Sequence, residues 1–122
     1  MSEIKSYRDL KIWQRGILLS KQVYELTMSF PKEEVYGITS QMRRCSVSVP
    51  SNIAEGFGRS TLSFLNFLKI ARGSLYELDT QLVLTKELEL SANTELIGSL
   101  ETEIQEMGKM MNSFINKLKE KL

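Results

Sequence analysis

The chain contains no histidine, and that absence removes the commonest general base and the commonest transition-metal ligand. It also removes the Glu-x-x-His motif on which di-iron sites of helical bundles are built. A single cysteine, Cys45, makes neither an intrachain disulfide nor a thiolate zinc site. It falls on an apolar helix stripe, where a small buried filler is expected rather than a reactive thiol. No phosphate-binding Gly-x-x-x-x-Gly-Lys-Ser/Thr run and no dinucleotide Gly-x-Gly-x-x-Gly occurs. Glu55-Gly56-Phe57-Gly58 comes nearest, but it closes a helix instead of opening one. These residues call for no metal and no cofactor. Carboxylate chemistry by Glu55, Glu77 and Asp79 is the remaining enzymatic option and ranks last, so the chain reads as non-enzymatic.

A dominant charge is lacking too. Sixteen Lys and Arg stand against 15 Asp and Glu, a net charge of +1, so no global field draws the protein to nucleic acid or membrane. Residues 1–59 carry 9 basic and 6 acidic side chains and residues 60–122 carry 7 and 9, a small asymmetry. No stretch approaches the roughly 18 apolar residues of a membrane span. Met1-Ser2-Glu3-Ile4-Lys5 has no apolar run of the signal-peptide kind. A cytoplasmic protein without membrane contact is expected. Two prolines and seven glycines leave little room for loops.

What is present is helical pattern. With 122 residues, 42% hydrophobic and 25% charged, the chain fits one domain with its own core. Ser6-Tyr7-Arg8-Asp9 has capping-box spacing. After it Leu10, Trp13, Ile17, Ser20, Tyr24 and Thr27 step by three and four, which predicts one helix face. Trp13 and Tyr24 on that face read as core or interface anchors. Phe30-Pro31 ends this helix, and proline suits the first turn of the next. The second helix carries Ile38, Met42, Cys45, Val49, Ile53 and Phe57 as its stripe. Pro50 lies inside it, where the missing amide and the ring predict a bend. Gly58 is read as a left-handed cap residue. Ser60 caps a third helix with the stripe Phe64, Leu68, Ala71, Leu75, Leu78, Leu82 and Thr85. A second flank, Leu65, Ile70, Tyr76 and Val83, is wider than one bundle core needs and points to another subunit. Ser91 caps the fourth helix, with Ile97, Leu100, Ile104, Met107, Met111, Phe114 and Leu118 facing inward. Helices at about 7–29, 33–57, 61–89 and 92–120 joined by short connections predict an all-α, antiparallel up-down-up-down bundle.

The polar residues of interest border the second and third helices. Arg44, Ser48, Asn52, Glu55 and Arg59 share one face. We expect Glu55 to pair with Arg72, and Glu77 with Arg43 or Arg44, a network of Glu55, Arg59, Arg72 and Glu77 that sets helix register. The competing reading is that the arginines meet phosphate or a partner's carboxylates.

Several motifs have a familiar form. Tyr7-Arg8-Asp9-Leu10 with Ile12-Trp13-Gln14, Phe30-Pro31 with Glu34, and Gly37-Ile38-Thr39-Ser40-Gln41 with Arg43-Arg44 are similar to the small bacterial four-helix proteins encoded by 23S rRNA intervening sequences. So are Val49-Pro50-Ser51-Asn52-Ile53-Ala54-Glu55-Gly56, and Ala71-Arg72-Gly73-Ser74-Leu75 with Glu77-Leu78. Cys45 stands where that family commonly has alanine, and Leu62-Ser63 lacks the acid-rich opening often seen in the third helix. The resemblance implies a four-helix bundle, a homopentameric ring and a link to rRNA. Related bundles resemble accessory proteins of diversity-generating retroelements, which bind nucleic acid and a reverse transcriptase.

Two functions follow. The first is a non-catalytic protein that binds structured RNA, rRNA or other nucleic acid, with Arg8, Lys11, Arg15, Arg43 and Arg44 as phosphate contacts and a ring multiplying a weak basic patch. The second is a protein–protein scaffold or adaptor with no direct nucleic-acid binding, which near-neutral charge and wide apolar faces favour.

Overall fold

The first helix is preceded by a turn that its own side chains cap. In the computed structural model, which describes residues 3–122, Ser6 Oγ accepts from the Arg8 amide at 3.1 Å and Asp9 Oδ2 accepts from the Ser6 amide at 3.0 Å. The capping box therefore forms, but it closes only a single 3-10 turn, Tyr7–Asp9. Leu10 is extended, and helix α1 (Lys11–Thr27) begins after it, four residues later than the capping signal predicts. A second 3-10 turn, Lys32–Glu34, follows Pro31. Gly37 then leaves helical geometry (φ −108°, ψ −118°), so α2 spans Ile38–Gly56 instead of opening at residue 33. Helices α3 (Thr61–Glu87) and α4 (Thr94–Lys119) complete the four α-helices of the described residues, which contain no strand.

Each helix packs against two others, α1 on α2 and α4, and α3 on α2 and α4. Contacts between neighbours run in opposite order along the chain. Gly16 meets Pro50, Ser20 meets Ser46 and Thr27 meets Arg43. Across α2 and α3, Gly56 meets Phe64 and Phe67, Cys45 meets Ser74, and Met42 meets Thr85. Arg72 reaches Asn112 and Lys86 reaches Glu101. Short connections force this alternation.

The expected α3 stripe is buried throughout, from Phe64 to Thr85. On α4 the stripe is buried apart from Phe114, which is half-buried beside the buried Ile115. On α1 the core face differs from the expected one. Ile12, Leu19, Val23 and Leu26 are buried, while Ile17 and Tyr24 are each 43% exposed. Each of these four lies one residue before a member of the predicted stripe, a rotation of about 100°, while the two ends of that stripe, Leu10 and Thr27, are buried as expected. Both stripes have helical spacing. The aliphatic one buries without stranding a polar tip, so it takes the core, and the one with Trp13, Ser20 and Tyr24 becomes the shoulder toward α2.

Pro50 sits inside α2, and the helix continues through it. Its missing amide leaves the Ser46 carbonyl without the usual helical donor. Ser20 supplies one from α1, its hydroxyl donating to that oxygen at 2.9 Å. One turn earlier Gly16 makes room for the ring: a Cβ there would stand 3.1 Å from Pro50 Cβ.

Loop ends follow their residues. Gly58 takes φ +84° as expected of a left-handed cap, and Ser60 Oγ accepts from the Ser63 amide at 3.2 Å. The fourth helix is capped by Asn93, whose Oδ1 accepts from the Leu96 amide at 3.1 Å; the expected cap, Ser91, instead accepts from the Asn93 amide. Helix α3 ends with Leu90 N donating to Thr85 O and Glu89 N to Lys86 O, the paired bonds of a Schellman motif. Its left-handed residue is Glu89, at φ +53°. A side chain there costs about 1 kcal/mol relative to glycine. Glu89→Gly therefore raises stability by about 1 kcal/mol in urea unfolding, and no gain would show that the Glu89 side chain offsets its backbone cost.

Candidate nucleic-acid interface

The five cations expected to meet phosphate do not form one patch. Arg15 turns toward α4. It donates to Glu106 Oε1 at 2.9 Å and to Met110 Sδ at 3.2 Å, and it also pairs with Glu103. Bonding to Glu106 is the largest cause that raises its pKa, and desolvation opposes it. This arginine is occupied within the fold. Lys11, one turn before it on the same side of α1, is exposed. Arg44 is exposed on α2, while the neighbouring Arg43 turns toward α1.

Arg8 and Arg43 share a different setting. The Arg8 guanidinium lies 5.9 Å from the Tyr7 ring centre and 5.7 Å from that of Trp13. The Tyr7 and Trp13 rings are 5.4 Å apart and tilted by 60°. The Arg43 guanidinium lies 4.6 Å over the Tyr24 ring and donates from Nε to Thr27 Oγ1 at 2.9 Å. Trp13 and Tyr24 are eleven residues apart, three helical turns, so the two stacked arginines mark the ends of one face about 16 Å long. A shallow groove of about 310 Å³ adjoins the Trp13 end, floored by Ile17, Val47 and Pro50, and no acidic residue lines it. Tyr24 thus serves as a cation–π platform at the surface, whereas Trp13 packs against the core as the expected anchor and seats Arg8 at its rim. The signal for this was the all-aliphatic stripe one position away, which had the better claim on the core.

The expected ionic network between α2 and α3 is absent among the described residues. Glu55 does not meet Arg72. It bonds Arg59 on its own helix end, Nη2 to Oε1 at 2.9 Å, with Arg59 also 5.1 Å over the Phe67 ring. Both partners are about half exposed, so the pair is worth at most about 0.5 kcal/mol. Arg72 donates to Asn112 Oδ1 on α4 at 2.9 Å. The register explains the failure: Gly56 lies level with Phe64 and Phe67, which puts Glu55 about a turn and a half from Arg72 along α3. Glu77 pairs with neither Arg43 nor Arg44. It accepts from Gln81 Nε2 at 3.4 Å and lies near the Cys45 thiol. Burial first, and the Glu77 charge second, push that thiol up to about 12, so Cys45 is unreactive. Neutral groups hold α2 to α3 instead: the Cys45 thiol donates to Ser74 O at 2.9 Å, and the Ser48 and Ser74 hydroxyls are 2.8 Å apart. No helix of the described residues is long and apolar enough to cross a membrane.

Comparison with known proteins agrees with this architecture. A solved structure from Bacteroides thetaiotaomicron, a protein of unknown function from the S23 ribosomal protein family, superposes with a TM-score of 0.77. It is 22% identical, and the match covers 86% of this chain and 95% of that one. At that identity the likeness establishes the fold. No curated protein matches the chain. The family model described as 23S rRNA-intervening sequence protein matches residues 8–113, from Arg8 in the capping turn to Ser113 on α4. The chain belongs to the 23S rRNA-intervening sequence protein family.

Proposed function

We propose that this protein is a non-catalytic, homo-oligomeric member of its family that binds structured RNA across the α1–α2 face. The observation that carries the reading is the pair of arginines stacked on aromatic rings, Arg8 on Tyr7 and Trp13, and Arg43 on Tyr24. Stacked guanidinium groups contact phosphate and present planar faces to unpaired bases. Exposed Lys11 and Arg44 extend the field to either side, whereas Arg15 is spent on Glu103 and Glu106.

A net charge of +1 per chain is weak, and assembly compensates for it by repeating the face. The homopentamer is what the family resemblance implies. Leu65, the first residue of the expected α3 flank, is buried in the chain's own core, but the rest of that flank supports a subunit contact: Ile70, Tyr76 and Val83 are each about half exposed. Gly73 lies among them with open space where a side chain would stand. A cytoplasmic location accords with an RNA ligand.

The test is binding of the purified protein to an rRNA fragment and to a length-matched DNA duplex across a salt series, with size measured by light scattering. Tighter binding to RNA with a steep salt dependence is expected. Arg8→Glu and Arg43→Glu each weaken RNA binding about tenfold and lower the salt slope by about one, at unchanged oligomer size. No binding at low salt removes the RNA reading, and the exposed α3 flank then favours the scaffold.

A further inference from the structure

A cleft of about 440 Å³ opens where α1 ends and α2 begins. Its walls are mainly carbon, from Met28, Phe30, Pro31 and Val35. Two cations, Lys32 and Arg43, also line it, and no acidic side chain does. Met28 is 78% exposed and Val35 49% exposed, so the apolar rim is open to solvent.

The guanidinium in this cleft is held in place. Val23 O accepts from the Thr27 hydroxyl at 2.8 Å, and Thr27 Oγ1 in turn accepts from Arg43 Nε at 2.9 Å. Tyr24 supports the guanidinium face at 4.6 Å. Only Nε is used, so the terminal nitrogens of the fork have no partner among the described residues. The second feature is Thr39. It lines the same cleft and is 5% exposed, yet its hydroxyl has no hydrogen-bond partner. A buried hydroxyl without a partner is costly and calls for an explanation. Thr39 is in the first turn of α2, so the amide end of the helix lies beside it, and Gly37 has no side chain with which to cap that end. Glu34 approaches Gly37 but does not line the cleft.

These features define the ligand. A positioned guanidinium, a second cation and a spare hydroxyl match a carboxylate. The walls, Met28, Pro31 and Val35 with the Phe30 ring, match an aliphatic side chain next to it. A nucleobase fits less well, since its polar edges would be buried against carbon with few partners. We propose that this cleft is a peptide site, receiving a carboxylate carried beside an aliphatic side chain on a protein partner. The site shares Arg43 with the proposed RNA face, but it takes a different ligand and its argument does not depend on that reading.

The experiment is titration of the ¹⁵N-labelled full chain with four probes: Ac-Leu-Asp-NH2, its neutral counterpart Ac-Leu-Asn-NH2, N-acetyl-leucine and uridine monophosphate. Saturable shifts confined to residues around 27–43 are expected with the aspartyl peptide, with binding about tenfold weaker for the asparaginyl one. N-acetyl-leucine distinguishes a chain-terminal carboxylate from a side-chain one by which of the two acids binds more tightly. Arg43→Gln abolishes the preference for Asp over Asn. Thr39→Val keeps the shape of the side chain and gives a second reading: the free protein melts at a higher temperature, while the aspartyl peptide binds more weakly. Equal binding of the Asp and Asn peptides, shifts outside the cleft, no shift at all, or stronger binding by uridine monophosphate would each overturn the proposal.

Discussion

Replacing Gly56 with alanine lowers the free energy of unfolding by about 1–3 kcal/mol. Helix propensity alone predicts a gain, because alanine is favoured over glycine inside a helix by about 1 kcal/mol. Packing reverses the sign. A Cβ on Gly56 would stand 2.7 Å from Phe67 Cβ and 2.9 Å from Phe64 Cδ1. Phe67 Cβ is fixed to the α3 backbone, so no rotamer change relieves the clash. Phe64 is itself wedged edge-on between Phe57 and Phe114, with ring centres 6.1 and 5.6 Å away. The end of α2 must then lift from α3. Gly73→Ala is the control: it lies in α3, where a Cβ would have nothing within 4 Å, and the monomer gains about 1 kcal/mol from the same chemical change. Opposite signs in urea unfolding establish close packing at Gly56, and a gain at both sites would refute it. Loss of assembly in Gly73→Ala, with the fold intact, would place that glycine at a subunit contact.

Ser20→Ala lowers stability by about 1–3 kcal/mol, and the size of the loss depends on Pro50. The Ser46 carbonyl belongs to a fully buried residue and accepts from Ser20 Oγ at 2.9 Å. Removing that hydroxyl leaves a buried acceptor without its donor. Pro50→Ala restores the backbone amide that would ordinarily serve the same oxygen. In that background Ser20→Ala is close to neutral, which gives a coupling energy of about 1 kcal/mol or more in the double-mutant cycle. Additive losses would show that the two residues do not share the Ser46 oxygen. Both results bear on function, because Ser20, Pro50 and Val47 line the groove beside Arg8 and Trp13.

The composition and spacing of the residues by themselves determined the helical class, the number of long helices and most of the core. The stripes of α3 and α4 were legible because Leu, Ile and Met dominate a strict alternation of three and four, with Phe114 alone yielding its place to the neighbouring Ile115. Gly58 and Ser60 were legible because their roles rest on backbone geometry and one local hydrogen bond. Local signals misplaced the starts of α1, α2 and α4, since Ser6, Pro31 and Ser91 each order a turn that the helix does not continue.

Only the tertiary structure decided what depends on rotation and register between helices. On α1 two stripes one residue apart both fit a helix, and the choice between them turned Tyr24 outward and left Trp13 at the core's edge, as seats for Arg43 and Arg8. The level at which α2 meets α3 separated Glu55 from Arg72 and gave Arg72 to Asn112. It also set Cys45 and Ser48 against Ser74, a neutral seam where an ionic one was expected. Thr39 carries no sequence signal at all, since a threonine in the first turn of a helix is ordinary until its hydroxyl proves to be buried without a partner. Periodicity specifies which residues share a face. Which neighbour that face meets, and at what height, is settled by steric fit between helices, here by Gly16 under Pro50 and Gly56 under Phe67.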